Sequence, residues 1–323
     1  METLSVFWNL VPITLLQGVI YGFVALGIMV PFRMLSFPDL TAEGSFPLGG
    51  AVAAAAIAGG LDPIPATALA VSAGMLAGST TALIHLTLKL NTLLCGIIVL
   101  TMLFSINIRV MGTPNTPLFA YDNMFHVLLG GAARVLEAQI ALVAGLVLAT
   151  AGLLFAYLKT EAGLALRAVG ANQMMARAQG ISIWRQTVWG IALAGGLCAL
   201  GGAIVAQNQS FADVNMGFGV LLNGLAAVIV GETLVGRATI LRQVLAPVVG
   251  AVVYYQAISF ALALGLAPSD LKLLTGLFVL LMLAVPSIRG RRETLRIRVR
   301  GGWASSARAS SPATSMPASP GPG

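Results

Sequence analysis

Charge is what this sequence has least of. Of its 323 residues, 18 are Lys or Arg and 11 are Asp or Glu, which makes 9% charged. An ordinary soluble domain carries about 25%, so that class is excluded. Histidine and cysteine are nearly absent, at two residues each. His85 and His126 stand far apart, with no Cys or carboxylate cluster at ligand spacing, so no metal site is expected. Cys95 and Cys198 each sit inside an apolar run and are read as small packing residues rather than a disulfide. There is no G-x-x-x-x-G-K-[ST] phosphate loop, no H-E-x-x-H and no Ser/His/Asp set, so the chain is expected to be no enzyme and to bind no cofactor. The chain of buried ionisable groups expected of a proton-coupled carrier is missing too. METLSVFWNLVP lacks a basic n-region and an A-x-A site, and is read as the approach to a first span rather than a cleaved signal.

What is present is apolar length. The chain is 58% hydrophobic, with a mean hydropathy of +0.92. At about 20 residues per crossing, the runs give an all-α, polytopic membrane helix bundle of about nine transmembrane segments. They are Val6–Val30, a broken crossing ending at Gly60, Ile64–Leu86, Thr92–Ile108, Ile140–Leu158, Thr187–Val205, Val220–Glu232, Val244–Leu264 and Leu273–Val285. The 37 glycines favour close helix packing. In the third run Ala66, Ala70, Gly74, Gly78 and Ala82 recur every four residues, a continuous small-residue stripe. Tyr121–Arg134 is semi-polar and is predicted to hold a surface helix.

Two stretches fit neither lipid nor water. In Leu35–Gly50, Pro38, Gly44 and Pro47 forbid a continuous helix. It is either a cytoplasmic turn or a discontinuous segment at the bundle centre, where irregular backbone is tolerated inside protein. Gln207–Gly219 is the second, leading into the short run Val220–Glu232. Pro47–Gly60 and Val220–Glu232 are short, glycine-interrupted segments at similar places in the chain, a pattern that points to two pseudo-repeated halves and a central pathway. Asp39, Ser45, Gln207 and Asn223 are the candidate pathway residues. Their alternative is internal capping or helix-to-helix hydrogen bonding.

Thr160–Arg185 is a polar island carrying Glu161, Arg167, Arg177 and Arg185. An ionised group at the bilayer centre costs about 2.5–3.5 kcal/mol, so the island lies outside the hydrocarbon. Gly163–Val169 reads as a short helix, Gly170 and Asn172 as a break, and Gln173–Gln179 as a further turn or two closed by Gly180. With this island in the cytoplasm, alternating nine crossings puts 15 Lys/Arg inside and three outside. The positive-inside rule then sets the N-terminus outside and the C-terminus in the cytoplasm. The domains are a transmembrane part, 1–287, with its cytoplasmic loop at 159–186, and a basic disordered tail, 288–323, whose arginines lie against anionic lipid. No nucleic-acid partner is expected.

The run G-L-A-L-R-A-V-G-A-N-x-x-x-A-R-x-x-G-I resembles the coupling loop of ABC-importer permeases of the branched-chain amino-acid and ribose kind. D-L-T-x-x-G-S-x-x-L-G-G-A-V-A is similar to a D-L-S-x-G-S stretch of ribose-type permeases. A-A-V-I-V-G-E-T-L-V-G-R resembles another motif there, with Glu232 in place of glycine. F-P-D-L-T-x-E-G-S-F-P-L-G is most similar to an amino-acid permease subgroup that includes ones proposed to carry tryptophan or tyrosine. The resemblance implies a bacterial inner-membrane permease subunit of an ATP-driven importer. It implies cytoplasmic ABC ATPase subunits that use ATP and Mg, an extracytoplasmic substrate-binding protein and a second permease copy, homo- or heterodimeric. It also implies ATPase-coupling roles for Glu161, Gly163, Arg167, Ala168, Gly170, Asn172, Ala176 and Gly180, with Arg167 facing an acidic groove. An ion-coupled secondary transporter without an ATPase is the competing expectation.

Overall fold

The computed structural model describes residues 2–131 and 135–265, with isolated positions at 273, 276, 277 and 280. It is an all-α bundle with seven helical stretches long and apolar enough to cross a membrane, one of them (Val214–Val235) a 3₁₀ turn joined to a short helix, together with one shorter apolar helix, Ala42–Ala58. The elements run α1 (Glu2–Met29), a π-helical turn (Val30–Met34), α2 (Ala42–Ala58), α3 (Pro63–Leu88), α4 (Thr92–Met111), β1 (Asn115–Pro117), α5 (Met124–Leu129) and α6 (Leu136–Lys159). Then come α7 (Glu161–Ala171), α8 (Gln173–Ala178), α9 (Ile183–Gln209), β2 (Phe211–Asp213), a 3₁₀ turn (Val214–Gly217), α10 (Val220–Val235) and α11 (Ile240–Ala263). Eight of the nine expected crossings are therefore in place. The ninth, Leu273–Val285, and the tail 288–323 lie outside the described residues.

α1 and α9 form the axis. Phe23, Val24, Ala25 and Leu26 on α1 are fully buried, as are Ile191, Ala199, Ala203 and Ala206 on α9. α1 packs most extensively on α11, and α9 on α3. The small-residue stripe of α3 explains the second pairing. Ala66, Ala70 and Ala82 are fully buried. A Cβ on Gly74 would lie 2.3 Å from the Ala199 Cβ and 2.5 Å from the Gly195 carbonyl oxygen. The two backbones thus meet with no side chain between them, the contact that small residues permit in lipid.

The halves repeat. α2 and α10 are the short members, and α10, at 16 residues, is ~24 Å long at ~1.5 Å per residue. That is less than the ~30 Å hydrocarbon core. α2 begins inside the bundle and runs to the end where β1 pairs antiparallel with β2 (the ribbon end). α10 begins inside and runs the opposite way, to the end that carries α7 and α8 (the loop end). Their N-termini meet, and the Glu43 carboxylate accepts the Gly219 amide at 3.2 Å.

Two expectations are corrected. Only 35–41 is irregular, because α2 starts at Ala42 and continues through Pro47. The proline falls in the second turn, so the bond it forgoes is the one to the Glu43 carbonyl. That oxygen is closely approached by Gly217, where a Cβ would sit 2.1 Å away. The ribbon between β1 and β2 is the second difference, since no strand was expected. The surface helix α5 is shorter than the semi-polar stretch, and its Met124 and Phe125 are buried.

Of nine Lys/Arg among the described residues, Arg33, Lys89, Lys159, Arg167, Arg177, Arg185, Arg237 and Arg242 belong to the loop end, and only Arg109 to the ribbon end.

Candidate functional site

The loop end is built by helix caps. Thr160 ends α6 and starts α7, its hydroxyl donating to the Tyr157 carbonyl at 2.6 Å and accepting the Gly163 amide at 3.3 Å. Asn172 breaks the chain and caps α8, accepting the Met175 amide at 3.1 Å. Gly180, at φ +78°, turns the chain out of α8, a conformation glycine adopts without strain. Ser182 then caps α9.

One face of this helix pair is anchored. Gly163, Leu166, Val169 and Ala176 are buried, and the last three share one apolar cluster with Met34, Leu35 and Phe37. A Cβ on Gly170 would lie 1.8 Å from the Met34 carbonyl oxygen, so α7 touches the backbone after the π-turn directly. Ser36 donates to the Gly170 carbonyl at 3.2 Å. Arg167 is turned back rather than outward, with its Nη2 donating to the Leu158 carbonyl at 3.3 Å. A guanidinium on the last carbonyls of α6 suits the helix dipole. Ala168 is half-buried. The other face is bare: Leu164, Met174 and Met175 are 59%, 84% and 60% exposed, beside exposed Glu161, Asn172 and Arg177. Apolar side chains on a polar loop are unusual for a surface left to water. The sequence reading singled out the charged and glycine positions and missed these three, although Met174-Met175 within a polar island was the available signal.

The segment after α1 has a second anchor. Arg33, on the π-turn, donates to the Glu232 carboxylate of α10 at 2.5 Å, and Arg237 donates to the same oxygen. The Glu232 side chain is only 6% exposed. Thus 30–37 is gripped by α7 on one side and by α10 on the other.

The four candidate pathway residues occupy separate networks. Asp39 accepts the Thr41 amide at 2.9 Å and the Thr41 hydroxyl at 2.5 Å, and Thr41 reaches Thr81 of α3. Gln207 donates to Thr67 at 2.8 Å and accepts the Met124 amide at 2.9 Å, joining α9, α3 and α5. Asn223 accepts the Tyr254 hydroxyl at 3.0 Å. Ser45 is fully buried, and its hydroxyl has no partner among the described residues. A small cleft forms between Glu43 and Asn107, and none of the four lines it.

The family model of the branched-chain amino acid transport system / permease component matches residues 11–286. The chain belongs to this family. A tyrosine transport system permease protein of Clostridioides difficile is 36% identical over 272 residues, covering 84% of this chain and 90% of the relative. An uncharacterized protein of Rickettsia prowazekii is 31% identical over 294 residues, covering 89% of this chain and all of the relative. No solved structure matches the chain significantly.

For a permease, the arrangement is economical. Its α7–α8 pair projects exposed polar side chains, Glu161, Asn172 and Arg177 among them. That projection is not a free loop. It is bonded to the backbone that leaves α1, and through Arg33 to α10.

Proposed function

We propose that this permease is the membrane subunit of an ATP-driven importer of amino acids or similar small polar solutes. The loop end faces the cytoplasm, and α7–α8 docks into an ATPase subunit through Leu164, Met174 and Met175. The observation that carries the reading is the two-faced loop: apolar side chains bare on one face, and backbone-to-backbone contact with the bundle on the other. An element that relays force needs both.

In this reading ATP and Mg belong to the ATPase, and this chain supplies no catalytic group. Closure of two ATPase subunits displaces α7–α8. The joint at 30–37 passes that displacement to α1 and α10, whose halves rock around the central pathway. Each copy holds one ATPase, so two permease copies are required. A substrate-binding protein delivers at the ribbon end. The bacterial inner membrane is the site of action, with anionic lipid against the basic loop end.

The test is co-purification with the cognate ATPase. Met174→Lys/Met175→Lys places two charges in the docking face, and assembly should fall by about tenfold or more, as for loss of a buried apolar anchor. Both residues are exposed, so the variant should keep its unfolding temperature. Undiminished assembly would refute docking through this face.

A further inference from the structure

A trench of about 350 Å³ runs down the flank of the bundle, lined by residues of α3, α6 and α9. The helix packing leaves it open: α3 leans on α9 and α2, while α6 leans on α1, α11 and α7. Leu153, Leu154, Leu193 and Leu197 line its length, and Tyr157 and Trp189 stand at its loop end. Leu153 and Trp189 are 73% and 61% exposed, so the trench opens sideways. All three helices are long and apolar enough to cross the membrane, so its open side meets hydrocarbon. An unfilled apolar void forfeits dispersion contacts along its lining, and lipid tails restore them.

The depth of the trench and its graded polarity say which lipid. Thr150 to Tyr157 on α6 and Trp189 to Leu197 on α9 each cover ~10–12 Å at ~1.5 Å per residue. One leaflet is ~15 Å deep, half of the ~30 Å hydrocarbon core, so the trench reaches from the loop end to about mid-membrane. Its deep end asks for nothing polar, because the Thr150 hydroxyl donates to the Leu146 carbonyl at 2.8 Å. Its loop end does. The Tyr157 hydroxyl and the Trp189 indole N–H have no hydrogen-bond partner among the described residues, and such side chains belong at headgroup level. Arg185 lies one helical turn nearer the loop end than Trp189, on the same face of α9. It is exposed and makes no ion pair among the described residues. Across the trench Lys159 closes α6, its ammonium 4.5 Å from the centre of the Phe155 ring. A second void, of about 220 Å³, continues beyond Thr150 toward the ribbon end. Its two hydroxyls, Thr67 and Thr150, are both bonded and no cation lines it, so it offers a headgroup nothing.

We propose that the trench holds one acyl tail of an anionic phospholipid from the leaflet at the loop end. The lipid's ester and phosphate oxygens meet Tyr157, Trp189 and Arg185, acceptors against donors and negative charge against positive. This is a fixed site, beyond the general attraction of a basic membrane face for such lipid. It depends neither on the ATPase nor on the solute carried.

The test is native mass spectrometry of the full-length permease in detergent. The probes are phosphatidylglycerol, phosphatidylcholine with the same tails, and dihexanoyl phosphatidylglycerol. The first should be retained and the others severalfold less, since one lacks net charge and the other tail length. Arg185→Gln should weaken retention about fivefold, the scale of one basic residue at an anionic surface. Leu193→Trp fills the trench and should displace the tail with Arg185 still in place. Unfolding temperatures in lipid-free detergent show whether the filled variant folds, and exposed Arg185 gives a variant that folds in either case. Equal retention of the two long-tailed lipids, equal retention by wild type and Arg185→Gln, or undiminished retention by a folded Leu193→Trp would each overturn the site. Dissociation of a dimer by Leu193→Trp with lipid retention unchanged would assign the trench to a second copy instead.

Discussion

A single carboxylate is shared by two arginines at the loop end. Glu232 is nearly buried, while Arg33 and Arg237 are 36% and 56% exposed at their side chains. Water therefore screens the pair, and its worth is well below that of a buried ion pair. Removing the carboxylate leaves two like charges facing each other, so Glu232→Leu should destabilise by about 1–2 kcal/mol. A double-mutant cycle with Arg33→Met, read as heat-unfolding midpoints in detergent, isolates the contact. Strict additivity would show that the clasp carries no energy. Glu232 also explains a departure in the sequence: the ribose-type motif has glycine here, and this chain uses the added carboxylate to hold the π-turn. The sequence exposed the departure but not its partner, because Arg33 is 199 positions away.

Helix contacts were legible where residue size alone sets them. The α3 stripe repeats at the helical period, so its burial followed from spacing, and its contact with α9 buries it as expected. Gly74→Val should force α3 and α9 apart and cost about 1–3 kcal/mol, the usual range for overpacking. Gly152→Val, where nothing lies within 4 Å of the added Cβ, is the control and should be near neutral. SDS-induced unfolding of the two variants checks this, and equal midpoints would contradict the packing. The pair α7–α8 was legible for a similar reason: Thr160, Asn172 and Gly180 are local signals for starting and stopping helices. The full burial of Asn107 on α4 was not legible. A helix apolar all round gives no clue to which face one polar residue takes. Nor does local sequence predict the π-turn, which is held by contacts with α7 and α10 distant in the chain.

At the scale of the whole molecule, polarity is set by where cations gather. Eight of nine described Lys/Arg lie at the loop end, and positively charged loops stay on the cytoplasmic side during insertion. The ribbon end, where Arg109 is the one Lys/Arg among the described residues, should then face outward. The two native cysteines are buried, so an added cysteine can be labelled without background. Phe119 and Met174 suit the purpose, at 77% and 84% exposed and at opposite ends. In intact spheroplasts a membrane-impermeant maleimide should label Phe119→Cys and spare Met174→Cys. Opening the membrane should make both react. Labelling of Met174→Cys alone in sealed spheroplasts would put α7–α8 outside, beyond the reach of any ATPase. It would also break the chain of contacts argued above at its first step, since the joint at 30–37 would have nothing in the cytoplasm to pull on it.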